Sequence, residues 1–107
     1  MVFRLEIMPQ AQRDIEEIHR YILDHSGPNS ADRVVDEIEG RIATLTTTPE
    51  RGNVPKELQA VGRADYRELH YKPYRIFYRV TKPLVEVMAV LDGRRDMNTL
   101  LRQRLTR

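Results

Sequence analysis

The chain has 107 residues, no cysteine and a formal net charge of +2. That length suits one domain, residues 1–107, with a single modest core. The missing cysteines exclude disulfide frameworks and thiolate chemistry, and no apolar run reaches the ~18–20 residues of a membrane span. The charge is unevenly placed: residues 1–50 hold 5 Lys/Arg against 10 Asp/Glu, giving −5, and residues 51–107 hold 13 against 6, giving +7. Such a field can steer nucleic acid or an acidic protein segment to the basic half, or the basic residues can simply solvate an exposed sheet. The N-terminal MVFRLEIMPQ lacks the basic region and apolar core of a signal peptide, so a soluble cytoplasmic protein with no membrane partner is expected.

In chain order, VFRLEIM at 2–8 alternates, with Phe3, Leu5 and Ile7 on one side and Arg4 and Glu6 on the other, which predicts a half-buried strand. After Pro9, Ala11, Ile15, Ile18 and Ile22 recur at helical spacing, predicting a helix to about His25. Ser26-Gly27-Pro28 breaks it, and Asn29 or Ser30 can cap the next helix, whose stripe is Ala31, Val34, Val35, Ile38, Ile42 and Leu45 up to Pro49. So short a connection predicts an antiparallel helix hairpin. Residues 50–63 read as a connection. ADYRELHY, YRIFYRVT and LVEVMAVL then read as strands joined at Lys72-Pro73 and Lys82-Pro83. The third of these is apolar on both faces, hence central and covered on both sides. From Met97, with Asp96 as cap, Met97, Leu100, Leu101 and Leu105 form one helical face, while Arg102 and Thr106 point elsewhere. The fold class is α+β: a helix hairpin on one face of a four-stranded, largely antiparallel sheet, plus a short C-terminal helix.

YRELHYKPYRIFYRV, residues 66–80, holds four of the five tyrosines together with Arg67, Arg75 and Arg79. In its second half Tyr74, Ile76, Tyr78 and Val80 share one face, and Arg75, Phe77, Arg79 and Thr81 the other. In its first half Arg67, Leu69 and Tyr71 alternate with Tyr66, Glu68 and His70. If the odd residues of both strands face away from the helices, the three arginines align on an uncovered, positive surface able to fork onto phosphates or carboxylates. The alternative is that they pair across strands with Glu68, Glu86 or Asp65. The same parity turns His70 toward the helices as a partly buried structural histidine. No carboxylate and histidine cluster has metal-ligand spacing, so no metal or cofactor is expected.

The order of elements, the YREL…YRIFYRV hairpin and the closing VMAVLDGRRDMNTLLRQRL resemble the RelE/ParE superfamily of toxins from type II toxin–antitoxin systems. The resemblance implies one of two activities. RelE-like members are ribosome-dependent mRNA endonucleases; ParE-like members have no known nuclease activity and typically poison DNA gyrase. Arg67, Arg75 and Arg95 fall at positions resembling basic site residues of the nuclease branch, but arginine is a poor general base. That branch commonly carries a tyrosine or histidine near the C-terminus, where this chain has Leu100 and Leu101; no Tyr follows Tyr78 and no His follows His70.

The reading is therefore a ParE-like toxin without catalytic residues, with the nuclease, and its ribosome and mRNA partners, as the alternative. A third class, a nontoxic nucleic-acid-binding module, lacks a recognition-helix signature. Arg94, Arg95 and Arg102 are expected to contact the gyrase–DNA target. Arg67, Arg75, Phe77, Arg79, Met97 and Leu101 are expected to meet a cognate antitoxin that covers apolar surface left bare by the helix hairpin. In the nuclease reading, Arg75→Ala lowers cleavage by about two to three orders of magnitude while leaving an exposed site folded.

Overall fold

Residues 2–105 are described by the computed structural model, so Thr106 lies outside the described residues. The alternating N-terminal segment forms β1 (Arg4–Ile7), its charged residues exposed and its apolar ones turned inward. Proline then occupies the first turn of α1 (Pro9–Ser26), where a missing N–H costs no helical bond. Gly27 ends that helix at φ 90°, a conformation that disfavours a side chain. Its amide still donates to the Leu23 carbonyl.

The next helix, α2 (Pro28–Ala43), takes Gly27 as its N-cap and Pro28 in its first turn, so the cap is neither Asn29 nor Ser30. Proline's fixed φ starts the helix directly, which draws both of those residues into the first turn. α2 ends well before Pro49, tightening into a 3-10 turn over Thr44–Thr46. The hydroxyls of Thr44, Thr46 and Thr48 donate to carbonyls three or four residues back, and local bonds of this kind loosen a helix end. Within the connection, one helical turn follows Pro55 as α3 (Lys56–Gln59), too short to announce itself by periodicity.

Three strands complete the sheet: β2 (Arg67–Tyr71), β3 (Tyr74–Thr81) and β4 (Leu84–Asp92), in the spatial order β1-β4-β3-β2. β1 runs parallel to β4 and the other pairs are antiparallel. A bulge shapes the centre of the sheet. Phe77 pairs with Ala89 but Tyr78 pairs with Val87, so Met88 is skipped. The extra residue changes parity. Val85, Val87 and Val90 therefore all face the helix hairpin, while Ala89 and Leu91 face the other way.

Two cores result. Ala11, Ile15, Ile38, Ile42 and Leu45 of the hairpin region pack on Leu69, Ile76, Tyr78, Val85, Val87 and Val90. On the opposite face Tyr66, Phe77, Ala89 and Leu91 pack against Leu58 and the C-terminal helix α4 (Met97–Arg104). Asp96 caps α4, accepting from the Thr99 amide at 3.3 Å and the Thr99 hydroxyl at 2.7 Å, and these bonds hold its carboxyl below the usual range. An eight-residue helix is unstable alone. Burial of Met97, Leu101 and Leu105, at roughly 1.5–3 kcal/mol each, is large enough to hold it in place. The second apolar face is thus covered by the chain itself.

Candidate functional site

Arg75 leaves the middle of β3 on the α4 side of the sheet and meets two carboxylates there. Its Nε donates to Glu68 Oε1 at 2.6 Å and its Nη2 to Glu68 Oε2 at 3.0 Å; Nη1 and Nη2 also donate to Glu57 Oε2 and Oε1 at 2.9 and 2.8 Å. Four of the five guanidinium N–H groups are therefore engaged within the protein. Arg75 and Glu57 are largely buried and Glu68 almost wholly so. The Arg75 hydrogen bond, opposed by burial, holds the Glu57 carboxyl below its ordinary range, and the paired carboxylates push the Arg75 guanidinium up. Glu57 sits on α3, so the short helix missing from the sequence reading carries half of this clamp. Arg79 is paired too, with its Nε 2.7 Å from Glu86 Oε1. Asp65 takes Arg63, not one of the three sheet arginines.

The alignment of three arginines does not occur. Arg67 pairs in register with Tyr78, and Leu69 with Ile76, so the odd residues of β2 lie on the helix-hairpin face and Arg67 is across the sheet from Arg75. The β2–β3 register decides this, and alternation within a single strand cannot reveal it. Arg67 Nη1 donates to the carbonyls of Gly52 and Glu50, at 2.7 and 3.3 Å. His70 is corrected by the same register. It faces away from the hairpin, half exposed, with Nε2 3.1 Å from Glu68 Oε1. Together with Asn53, Lys56, Gln59, Glu68 and Arg75 it lines a cleft of about 440 Å³.

Gly52 packs the 50–63 connection onto this edge. Its amide donates to the Tyr78 hydroxyl at 3.0 Å, and a Cβ there would lie 2.5 Å from the Glu68 carbonyl and 2.7 Å from the Tyr78 hydroxyl. Asn53 then bridges to Glu68 through both backbone bonds, covering part of the β2 edge. Gly52→Ala is expected to cost about 1–3 kcal/mol, because backbone must shift to admit the methyl group. Urea denaturation measures it, and an unchanged midpoint would show that the connection yields freely.

The C-terminal residues divide. Phe77, Met97 and Leu101 are buried in the second core, so they present no surface to an antitoxin in this state. Arg94, Arg95 and Arg102 are exposed. Arg94 folds back on Asp92, with Nη2 2.6 Å from Oδ2. Arg94 and Arg95 border a cleft between α1 and the end of β4, whereas Arg102 borders a groove between α3 and α4. Sequence reasoning missed Asp14. It lies buried on α1, accepting from Arg104 Nη1 and Nη2 at 3.1 and 2.7 Å and from the Val90 amide at 3.0 Å. Its one signal was an acidic residue beside the apolar stripe of the first helix.

The sequence profile described as the ParE toxin of type II toxin-antitoxin system, parDE, matches residues 5–97. The chain belongs to the ParE toxin family. Its fold is similar to the chromosomal ParDE toxin–antitoxin system from P. aeruginosa, with a TM-score of 0.71 and 17% identity over 83% of this chain and 94% of that one. It is also similar to the toxin-antitoxin complex RelBE2 from Mycobacterium tuberculosis, with a TM-score of 0.54 and 20% identity over 84% and 96% of the two chains. No match is found among curated proteins. Among the described residues, no helix is long and apolar enough to cross a membrane.

Proposed function

We propose that this chain is a cytoplasmic toxin that arrests growth by binding and inhibiting DNA gyrase, and that a cognate antitoxin neutralises it. Membership of the ParE family supports this reading. The observation that carries it against RNA cleavage is the Arg75 clamp. A phosphate approaching Arg75 meets two carboxylates that already occupy four of its N–H groups, and displacing them would leave Glu57 and Glu68 unpaired in a largely buried site. The two solved relatives come from toxin–antitoxin systems, which supports an antitoxin as partner.

Target contacts are assigned to Arg94, Arg95 and Arg102, on exposed surface flanking α4. Loss of three such exposed charges predicts roughly ten- to hundredfold weaker inhibition for the triple alanine variant. Folding should be retained, because none of the three is buried. A gyrase supercoiling assay, scored also for stabilised cleaved DNA, tests both statements. Untouched supercoiling at wild-type concentrations far above that of gyrase would overturn the assignment. A fully potent triple variant would move the target surface elsewhere.

One observation favours the RelE-like nuclease as a second reading. His70 shares a cleft with Arg75, so a proton-transfer group and a cation do stand side by side. Toeprinting on translating ribosomes decides between the readings. Ribosome-dependent mRNA cuts that disappear in His70→Ala would establish the nuclease, and their absence from the wild type would dispose of it.

A further inference from the structure

Tyr66 is buried, at 1% exposure, and its hydroxyl has no hydrogen-bond partner among the described residues. A buried donor left unpaired is costly, and phenylalanine would serve the packing of the ring as well. Tyr66 stands one step beyond the last pair of β2 with β3, Arg67 with Tyr78, which sets it beside Arg79 on the α4 side of the sheet. Arg63, at the end of the 50–63 connection, lies over its ring with the guanidinium carbon 5.5 Å from the centroid. Both guanidinium groups come near the hydroxyl, but neither reaches hydrogen-bond geometry.

A cleft of about 420 Å³ opens here, where β3 runs on past the start of β2, and Asp65, Arg67, Arg79, Thr81 and Lys82 line it. The groups these side chains leave free are mainly donors. Nε and Nη2 of Arg63 donate to Asp65 at 3.2 and 2.7 Å, which leaves Nη1. Nε of Arg79 donates to Glu86, which leaves both Nη atoms. Arg67 donates only to the Gly52 and Glu50 carbonyls, and Lys82 has no partner among the described residues. The cations Arg63, Arg67, Arg79 and Lys82 thus stand against the carboxylates of Glu50, Asp65 and Glu86, and the last two are already paired. Free guanidinium, ammonium and hydroxyl donors match a ligand that only accepts, and a phosphate group presents several acceptor oxygens and a negative charge.

We propose that Arg63, Tyr66, Arg79 and Lys82 form a phosphate-binding site at the end of the sheet where β3 turns into β4. The phosphate group bridges the free Nη atoms of Arg63 and Arg79, accepts from the Tyr66 hydroxyl once Arg63 swings off the ring, and faces Lys82 at the mouth. Its source is a nucleic-acid backbone or a small phosphate compound. Arg94 and Arg95 follow the other end of β4, so this site is separate from the target contacts assigned above and does not depend on the gyrase reading.

Calorimetry on the full chain with pyrophosphate, at constant ionic strength, tests the site. The wild type should bind saturably. Tyr66→Phe should bind about tenfold more weakly, through loss of a hydrogen bond to a charged group. In phosphate-free buffer the same variant should melt at or above the wild-type temperature, because it removes an unpaired buried hydroxyl. Lys82→Ala, an exposed change, should weaken binding about threefold. A short DNA duplex added to the pyrophosphate complex separates the two sources: displacement assigns the site to a nucleic-acid backbone, and its absence assigns it to a small phosphate compound. No pyrophosphate binding by the wild type, undiminished binding by a folded Tyr66→Phe variant, or a Tyr66→Phe variant that melts below the wild type in phosphate-free buffer would overturn the site.

Discussion

Arg75→Ala is expected to destabilise the domain by about 3–5 kcal/mol, whatever it does to toxicity, because it leaves two carboxylates facing each other in a largely buried site. From sequence alone the same substitution should be harmless to folding, as the loss of an exposed arginine; the tertiary structure reverses that expectation. A loss of activity in this variant consequently says nothing about phosphate contact unless its folding is measured beside it. The triple variant Arg75→Met, Glu57→Gln, Glu68→Gln, which removes the charges together, should recover much of the stability. The pH dependence has a definite sign. Arg75 holds the Glu57 carboxyl below its unfolded value, so this contribution is fully present above the unfolded carboxylate range and is lost as pH falls through the folded value. Wild-type stability should drop on acidification below about pH 5, and more steeply than that of the triple variant, as urea titrations at successive pH values would register. Equal slopes would place the acid sensitivity elsewhere.

Asp14→Ala should cost about 2–4 kcal/mol and lower the melting temperature by on the order of 10–25 °C. The substitution strips Arg104 of a bidentate partner and leaves the Val90 amide unpaired. It also uncouples the end of α4 from α1, residues 90 positions apart in the chain. Amide exchange at Val90 should accelerate with it, and Leu101 should become more accessible as α4 loosens. A variant with wild-type melting and exchange would show that α4 is held by Met97, Leu101 and Leu105 alone.

Much of this fold is set by local pattern. The period-two alternation of Phe3, Leu5 and Ile7, the helical spacing of Ala11, Ile15 and Ile18, the break at Gly27-Pro28 and the Asp96 cap each concern residues within a turn or two of one another. Chemistry at that range is written directly in the chain. The doubly apolar strand LVEVMAVL likewise called for cover on both faces, and β4 has it. The chain's own α4, not a partner, covers the second face.

By itself, then, the sequence determined the α+β architecture, the hairpin of helices, the four strands and the basic C-terminal segment, all of which follow from spacing and side-chain type. Only the tertiary structure decided what the arginines do. Alternation tells which residues of one strand share a face, but the face itself depends on the register with the next strand, and a shift of one residue reverses it. That register sends Arg67 to the hairpin side and His70 to the side of Arg75. Long-range packing then brings Glu57 of a one-turn helix to Arg75, 18 residues away, and Asp14 to Arg104 at the far end of the chain. Pairings of that separation leave no periodic trace, because each is satisfied by a single residue whose neighbours in sequence give no hint of its partner.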